Sequence, residues 1–446
     1  MRWCKILALV PLGYLIWVVA RYSVEVPFAD QWELVPFLEK SYGGDLRFGD
    51  LWAQHNEHRI FFPRLIMLGL ARLTHWRIGC ELALNIVLAA VLLAILVWQF
   101  KRTAAALGAS ELRWALPAGS LIVFSMSQFD NWLWGWQIQM LLSVLAVTGT
   151  IVLLANETFT YRKFIGAAVL GFVATHSFAN GILIWPIGLM LLLSGPSSRA
   201  TKIKTTVVWS LLAAAALVSY LAGYQKPVWH PALSVAFKRP LEYVIYVLKY
   251  LGSMCAQYGN AAALPDGVLA VVFGLTALAI LVWAWWSLIR RDRKQGIALR
   301  PYLALAAFSI LSGLMTGIGR AGFGSEQAME SRYCTMTVPL WVSLVVFLVL
   351  LGRTKGFPKG EARLARWVLG IVIAFLLLSS ALAIKQAQGV FEARSEGRAY
   401  LLKLAAHPEM KPEFGELFHI DPGKNPFVVV ERYPFLVREK LSLFRD

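Results

Sequence analysis

The sequence predicts an all-α integral membrane protein of about eleven transmembrane helices, and three observations carry that prediction. Of 446 residues, 58% are apolar and 15% charged, with a mean hydropathy of +0.59, whereas soluble domains carry nearer ~25% charge. Eighteen tryptophans and 13% aromatic residues suit a chain with two wide membrane interfaces, where amphipathic rings settle. Runs of mostly apolar residues approach the ~20 needed to cross a hydrocarbon core. The net charge of +17 leaves nucleic acid, anionic lipid or an anionic substrate open on composition alone. Cys4, Cys80, Cys255 and Cys334 have no CxxC spacing and indicate neither a disulfide framework nor a zinc site.

Taken in order, the candidate spans are 6–20, 79–100, 116–126, 138–155, 164–176, 181–194, 207–222, 268–289, 301–318, 338–351 and 368–384. The short ones around 116 and 164 borrow flanking residues. Two further stretches, 60–73 with Arg64 and Arg72 and 241–255 with Glu242 and Lys249, read as spans or as amphipathic helices lying in the interface. The positive-inside rule decides between these readings. With eleven spans and a cytoplasmic N-terminus, the basic clusters at Lys101-Arg102, Arg162-Lys163, Arg199/Lys202/Lys204, Arg290 to Lys294 and Arg353 to Arg366 share one side. Both ambiguous stretches then belong at the outer interface, with the C-terminus outside.

The segment after Arg2 and Lys5 has the form of a signal peptide or of an uncleaved anchor. The anchor is favoured, because the following loop needs tethering at the membrane. The division is then a polytopic membrane domain over 1–384, with a first outer loop at 21–77 and a second at 223–267, and a small proline-rich, charged outer tail over 385–446. The tail reads as helix, with one candidate short strand at 427–430.

The first outer loop holds the densest chemistry: Asp30, Glu33, then His55, Glu57, His58 and Arg59. A carboxylate at headgroup depth serves as a general base toward a hydroxyl within hydrogen-bond reach. Asp30 and Glu33 are equally spaced as a capping box for a helix over 31–40. His55 and His58 have a spacing that puts two ligands on one helical face. Zinc needs at least a third protein ligand, so a solvated polar face or a phosphate or sugar contact stays open beside metal binding.

Further polar groups recur at outer span ends. They are Asp130, Asn131, Gln137 and Gln139; His176 and Asn180; and Arg320, Glu326, Glu330, Arg332 and Tyr333. All can converge on one outward cavity. Arg320 or Arg332 there holds a lipid phosphate through the planar guanidinium fork, or pairs with Glu326 or Glu330. The GxGxxG match at 317–322 ends an apolar span rather than joining strand to helix, and the glycosylation acceptor at Asn156-Glu157-Thr158 falls on the basic side. No Walker, GxSxG or nucleic-acid motif occurs.

The first hundred residues resemble the GT-C superfamily of integral-membrane glycosyltransferases. The likeness lies in one span, an early outer acid (Asp30), an amphipathic segment opening His58-Arg59-Ile60-Phe61-Phe62-Pro63-Arg64-Leu65, and a second span from Cys80. A late Arg332-Tyr333 precedes a span containing Pro339. The chain also looks like uncharacterised bacterial membrane proteins with an Asn56-Glu57-His58-Arg59 signature. It departs from the pattern in having Pro63 alone and a single early acid, with Glu33 the nearest second one. The resemblance implies transfer of a sugar from a polyprenyl-phosphate donor to a glycan, lipid or protein acceptor outside a bacterial inner membrane, with Asp30 catalytic. Glu33, His55, Glu57, His58, Arg59, Arg320, Arg332 and Tyr333 would bind substrate or lipid phosphate. No cofactor is implied, and a divalent metal lacks support in the residues. A flippase or transporter of lipid-linked glycans, or a polysaccharide polymerase or ligase, remains the alternative.

Overall fold

The computed structural model describes residues 2–155, 159–257, 266–353, 358–410 and 428–445. Among these residues it is 83% helical and has no strands. In chain order the longer helices are α1 (Arg2–Tyr22), α2 (Val35–Gly43), α3 (Phe61–Thr74), α4 (Ile78–Leu107), α5 (Ala115–Val123) and α6 (Ile138–Leu154). There follow α7 (Tyr161–Thr175), α8 (Ile184–Ser194), α9 (Arg199–Leu221), α10 (Pro240–Gly252) and α11 (Asp266–Ala284). The last four are α12 (Arg293–Arg320), α13 (Cys334–Leu351), α14 (Lys359–Ala406) and α15 (Val428–Arg438).

Eight of these helices are long and apolar enough to cross a membrane: α1, α4, α6, α9, α11, α12, α13 and α14. These match eight of the eleven expected spans. The stretches around 116, 164 and 181 fold as α5, α7 and α8, of 9, 15 and 11 residues, each short of a full crossing. The two amphipathic stretches become α3 and α10, of 14 and 13 residues, also too short to span. The glycosylation acceptor at 156–158 lies outside the described residues.

Apolar side chains on the outward faces, such as Leu9, Leu211, Val218, Val282 and Trp367, are exposed, as lipid-facing residues should be. The bundle instead closes around α13, all of whose residues are buried. A helix apolar on every side belongs in such a position, and α5, α6, α11, α12 and α14 pack around it. Pro339 interrupts its hydrogen-bond ladder. Beside it, the Ser309 hydroxyl of α12 enters the gap, accepting from Leu340 N at 3.1 Å and donating to the Met336 carbonyl at 2.7 Å. That keeps the freed backbone groups satisfied where no water can reach. Glycines allow another close crossing. A Cβ on Gly252 of α10 would lie 1.9 Å from the Ala270 carbonyl oxygen, and one on Gly274 of α11 would lie 2.2 Å from that of Leu248.

At 1.5 Å per residue, the 48 residues of α14 extend about 72 Å, far beyond a ~30 Å hydrocarbon core. Its C-terminal half stays packed through buried Arg394, Leu401 and Leu404, and α15 lies on the first loop. Arg432 donates to the Trp32 carbonyl at 2.7 Å, and Ser442 N donates to that of His75 at 2.9 Å. The candidate strand at 427–430 is corrected here. Residue 427 lies outside the described residues, and Val428 opens a helix, since Val428, Phe435 and Leu436 bury one helical face against the rest of the chain.

Candidate functional site

One end of the bundle encloses a cavity of about 910 Å³, within the range of small-molecule sites. Its wall combines stretches distant in sequence: 28–30, 55–58, 134–140, 178–182, 220–233, 315–323 and 332–333. Of the residues singled out from sequence, Asp30, His55, Glu57, His58, Arg320, Arg332 and Tyr333 all line it, as do Gln137, Gln139 and Asn180.

Asp30 lies on a 3₁₀ turn, Ala29–Leu34. The capping expectation is overturned. Phe28 occupies the cap position, and its N–H donates to Oε1 of Gln31 at 3.0 Å, so the capping acceptor is Gln31. Ala29 adopts φ +47°, a left-handed conformation unfavourable for a residue with a Cβ. The surroundings hold it there: the Trp134 indole donates to the Phe28 carbonyl at 3.2 Å and Gln31 donates to Glu81 at 2.6 Å. The Asp30 carboxylate lies 3.6 Å from Nε2 of His55, whose ring meets Trp136 edge-on with centroids 4.9 Å apart.

The two histidines do not share a helical face. His55 and His58 exchange backbone hydrogen bonds of 2.8 Å each, forming an isolated antiparallel bridge around Asn56 at φ +49°, a conformation asparagine tolerates. This tight turn aims His55 at Asp30 and His58 at Glu57. Nδ1 of His58 accepts from Ala179 N at 3.2 Å. The ring proton therefore sits on Nε2, 3.5 Å from Glu57, while the ring face stacks on Phe178 at 4.1 Å.

Glu57 is the hub of the second half of the site. Arg320, at the end of α12, pairs with it directly, and Nε2 of His230 lies 3.5 Å from its other oxygen. Burial pushes this carboxyl up, but the neighbouring His58, Arg320 and His230 outweigh burial and hold it at about 2. Burial holds the His58 ring down at about 4, against the pull of Glu57. At neutral pH the ring is uncharged, and Arg320 is the cation that keeps Glu57 ionised.

Both groups bind more protons unfolded than folded as pH falls, His58 between about 6.5 and 4 and Glu57 between about 4.5 and 2. Acidification is therefore expected to destabilise the protein in two successive stages. Thermal unfolding in detergent from pH 7.5 to 4 checks the first stage. His58→Gln, which keeps an acceptor for Ala179, should flatten it; a slope equal to wild type would refute the assignment.

Glu33 and Arg59 do not line the cavity. Glu33 lies 3.4 Å from Arg432 of α15. Arg59 gathers backbone carbonyls, donating to Tyr220 at 2.5 Å, to Trp52 at 2.7 Å and to Ala222. It thereby ties the end of α9 to the first loop and satisfies carbonyls that a helix terminus leaves open. Arg332 pairs with Glu330, as one expectation had it, whereas Glu326 pairs with Lys249. Asp130 accepts from Ser331 at 2.6 Å and His176 meets Ser219 at 3.1 Å, both outside the cavity wall.

The second acid of the cavity is thus Glu57 rather than Glu33. Sequence reasoning missed Tyr220, near the end of α9, and Tyr224, Lys226, Trp229 and His230 of the second loop, all of which line the cavity. Their signal was a cluster of aromatic and basic residues directly after a span. That loop is tied over the first one by Gln54, which donates to the Gln225 carbonyl at 2.6 Å and accepts from Gln225 N at 3.0 Å. Among the described residues, no group of three or more His, Cys, Asp or Glu side chains is placed to hold a metal ion. No known family and no curated protein matches the chain.

Proposed function

We propose that the chain is a GT-C-type membrane glycosyltransferase, transferring a sugar from a polyprenyl-phosphate-linked donor to an extracytoplasmic glycan, lipid or protein acceptor. The observation that carries this reading is the convergence of Asp30, His55 and the Glu57–Arg320 pair on one cavity at the loop end of a multi-span bundle. Asp30 takes the proton of the acceptor hydroxyl. The oxygen attacks the anomeric carbon, the bond from that carbon to the phosphate oxygen breaks, and the lipid phosphate leaves with the electron pair. Arg332 and Arg320 stabilise the charge that develops on it. Energy for the transfer resides in the donor, so the chain needs no nucleotide. His55 positions Asp30.

The proposed orientation puts the N-terminus in the cytoplasm and the cavity outside a bacterial inner membrane, so that the basic inner segments obey the positive-inside rule. In this arrangement α5, α7 and α8 are partial crossings completed by the turns beside them. Purified protein in vesicles loaded with lipid-linked sugar and an acceptor tests the function. Sugar transfer without net lipid translocation is the expected result. Translocation without transfer would replace this reading with a flippase, and chain growth on the lipid would replace it with a polymerase.

A further inference from the structure

Gln137 ends a 3₁₀ turn and Gln139 lies in the first turn of α6. Their residues are 1% and 6% exposed, yet both line the cavity. Oε1 of each is buried without a hydrogen-bond partner among the described residues. Other buried glutamines are tied down. Gln31 binds Phe28 and Glu81, Gln128 binds Val123 and Thr335, and Gln257 binds Met329 and Ser379 through its side chain and backbone. A buried amide oxygen without a partner is costly to maintain and calls for a reason. Two such amides, two residues apart on the wall of one cavity, share that reason.

The chemistry they offer is specific. A carboxamide donates and accepts at once and carries no charge, which matches a hydroxyl better than a phosphate. The terminal torsion of glutamine is soft, so each oxygen can turn toward a donor in the cavity. Trp134, 6% exposed, lines the same cavity, and an indole suits the C–H face of a sugar ring with its apolar surface. Contacts between Phe28 and Trp134 (5.7 Å between centroids) and between His55 and Trp136 (4.9 Å) put this wall beside Asp30 and His55.

We propose that Gln137, Gln139 and Trp134 form a subsite for a neutral polyhydroxylated ring, a hexose or pentose. This rests on the transferase reading only in naming the donor or the acceptor as the molecule that carries the ring. The subsite separates two tasks within one cavity: the amides recognise hydroxyls, and the arginines meet charge.

The test uses the full chain in lipid nanodiscs, with equilibrium binding of three probes: a prenyl-phosphate-linked hexose, the same prenyl phosphate without sugar, and a methyl hexoside. Gln137→Met and Gln139→Met keep side-chain shape and remove the amide. Each is expected to weaken hexose binding about tenfold, to leave binding of the bare prenyl phosphate unchanged, and not to lower Tm. Gln128→Met, which removes a satisfied amide, should lower Tm and so serves as the control.

A loss confined to the lipid-linked hexose puts the donor sugar in the subsite, and a loss shared by the methyl hexoside puts an acceptor sugar there. Unchanged hexose binding in both variants, or a fall in Tm matching that of the control with binding intact, overturns the proposal. Hexose binding that depends on these amides without any sugar transfer keeps the subsite and removes the transferase. Full transfer and full hexose binding in both variants does the reverse.

Discussion

Replacing Asp30 with asparagine is expected to lower sugar transfer by about 10²- to 10⁴-fold, the usual weight of a positioned general base. Binding of the lipid-linked donor and Tm should stay near wild type. The second half of that expectation follows from the local geometry. Gln31, not Asp30, supplies the capping acceptor of the 3₁₀ turn. Had Asp30 been the cap, its loss would cost about 1 kcal/mol of stability. The measurement is initial-rate transfer by purified protein, with thermal unfolding on the same preparation. Full activity in Asp30→Asn would end the catalytic assignment. A drop in Tm that accounts for the lost activity would return Asp30 to a structural role.

The largest expected structural effect lies one layer behind Asp30. Glu81 is 1% exposed, and each of its oxygens accepts one hydrogen bond, from Gln31 at 2.6 Å and from the Trp76 indole at 2.9 Å. Gly135 leaves room for it, since a Cβ there would lie 2.0 Å from the carboxylate. Glu81→Gln offers one acceptor to two donors, so an introduced N–H faces another N–H. The unmade bonds should destabilise the protein by roughly 2–4 kcal/mol. Gln31 also holds Phe28 N, so the turn carrying Ala29 and Asp30 loosens with it and transfer falls.

The same inventory of donors and acceptors predicts a rescue. In the double variant Gln31→Glu with Glu81→Gln, the carboxylate accepts from Phe28 N and from the introduced amide, and the amide oxygen accepts from Trp76. Every bond is restored. Tm of the double variant should recover most of what Glu81→Gln loses, and transfer should recover with it. A double variant no better than the single one would show that Glu81 acts by some means other than this pattern of acceptors.

Parts of the site were legible in the chain because they are local. Asp30, His55, Glu57 and His58 stand within one short loop after an apolar run, and the polar groups of Gln137, Asn180, Arg320 and Arg332 stand at the ends of apolar runs; the structure brings all of them to one cavity. The roles of Glu33 and Arg59 were not legible, because their partners are remote. Arg59 bonds Tyr220, 161 residues away, and the tail residue that meets Glu33 also bonds Trp32 across 400 residues. The lengths of α5, α7 and α8, of 9, 15 and 11 residues, were not legible for a related reason. Hydropathy reports that a stretch is apolar, but where a helix stops depends on neighbours.

By itself, the sequence determined that this is a multi-span helical membrane protein. Partition into lipid is a sum over some twenty adjacent residues, which any window of sequence contains. Tertiary structure alone decided which polar side chains face the cavity and which hold backbone carbonyls. It set Glu57 against Arg320 across 263 residues, brought the second loop over the first, and left Oε1 of Gln137 and of Gln139 without a hydrogen-bond partner among the described residues. Ionic and hydrogen-bond contacts act over a few ångströms, so a side chain's role is set by what the fold brings within that reach.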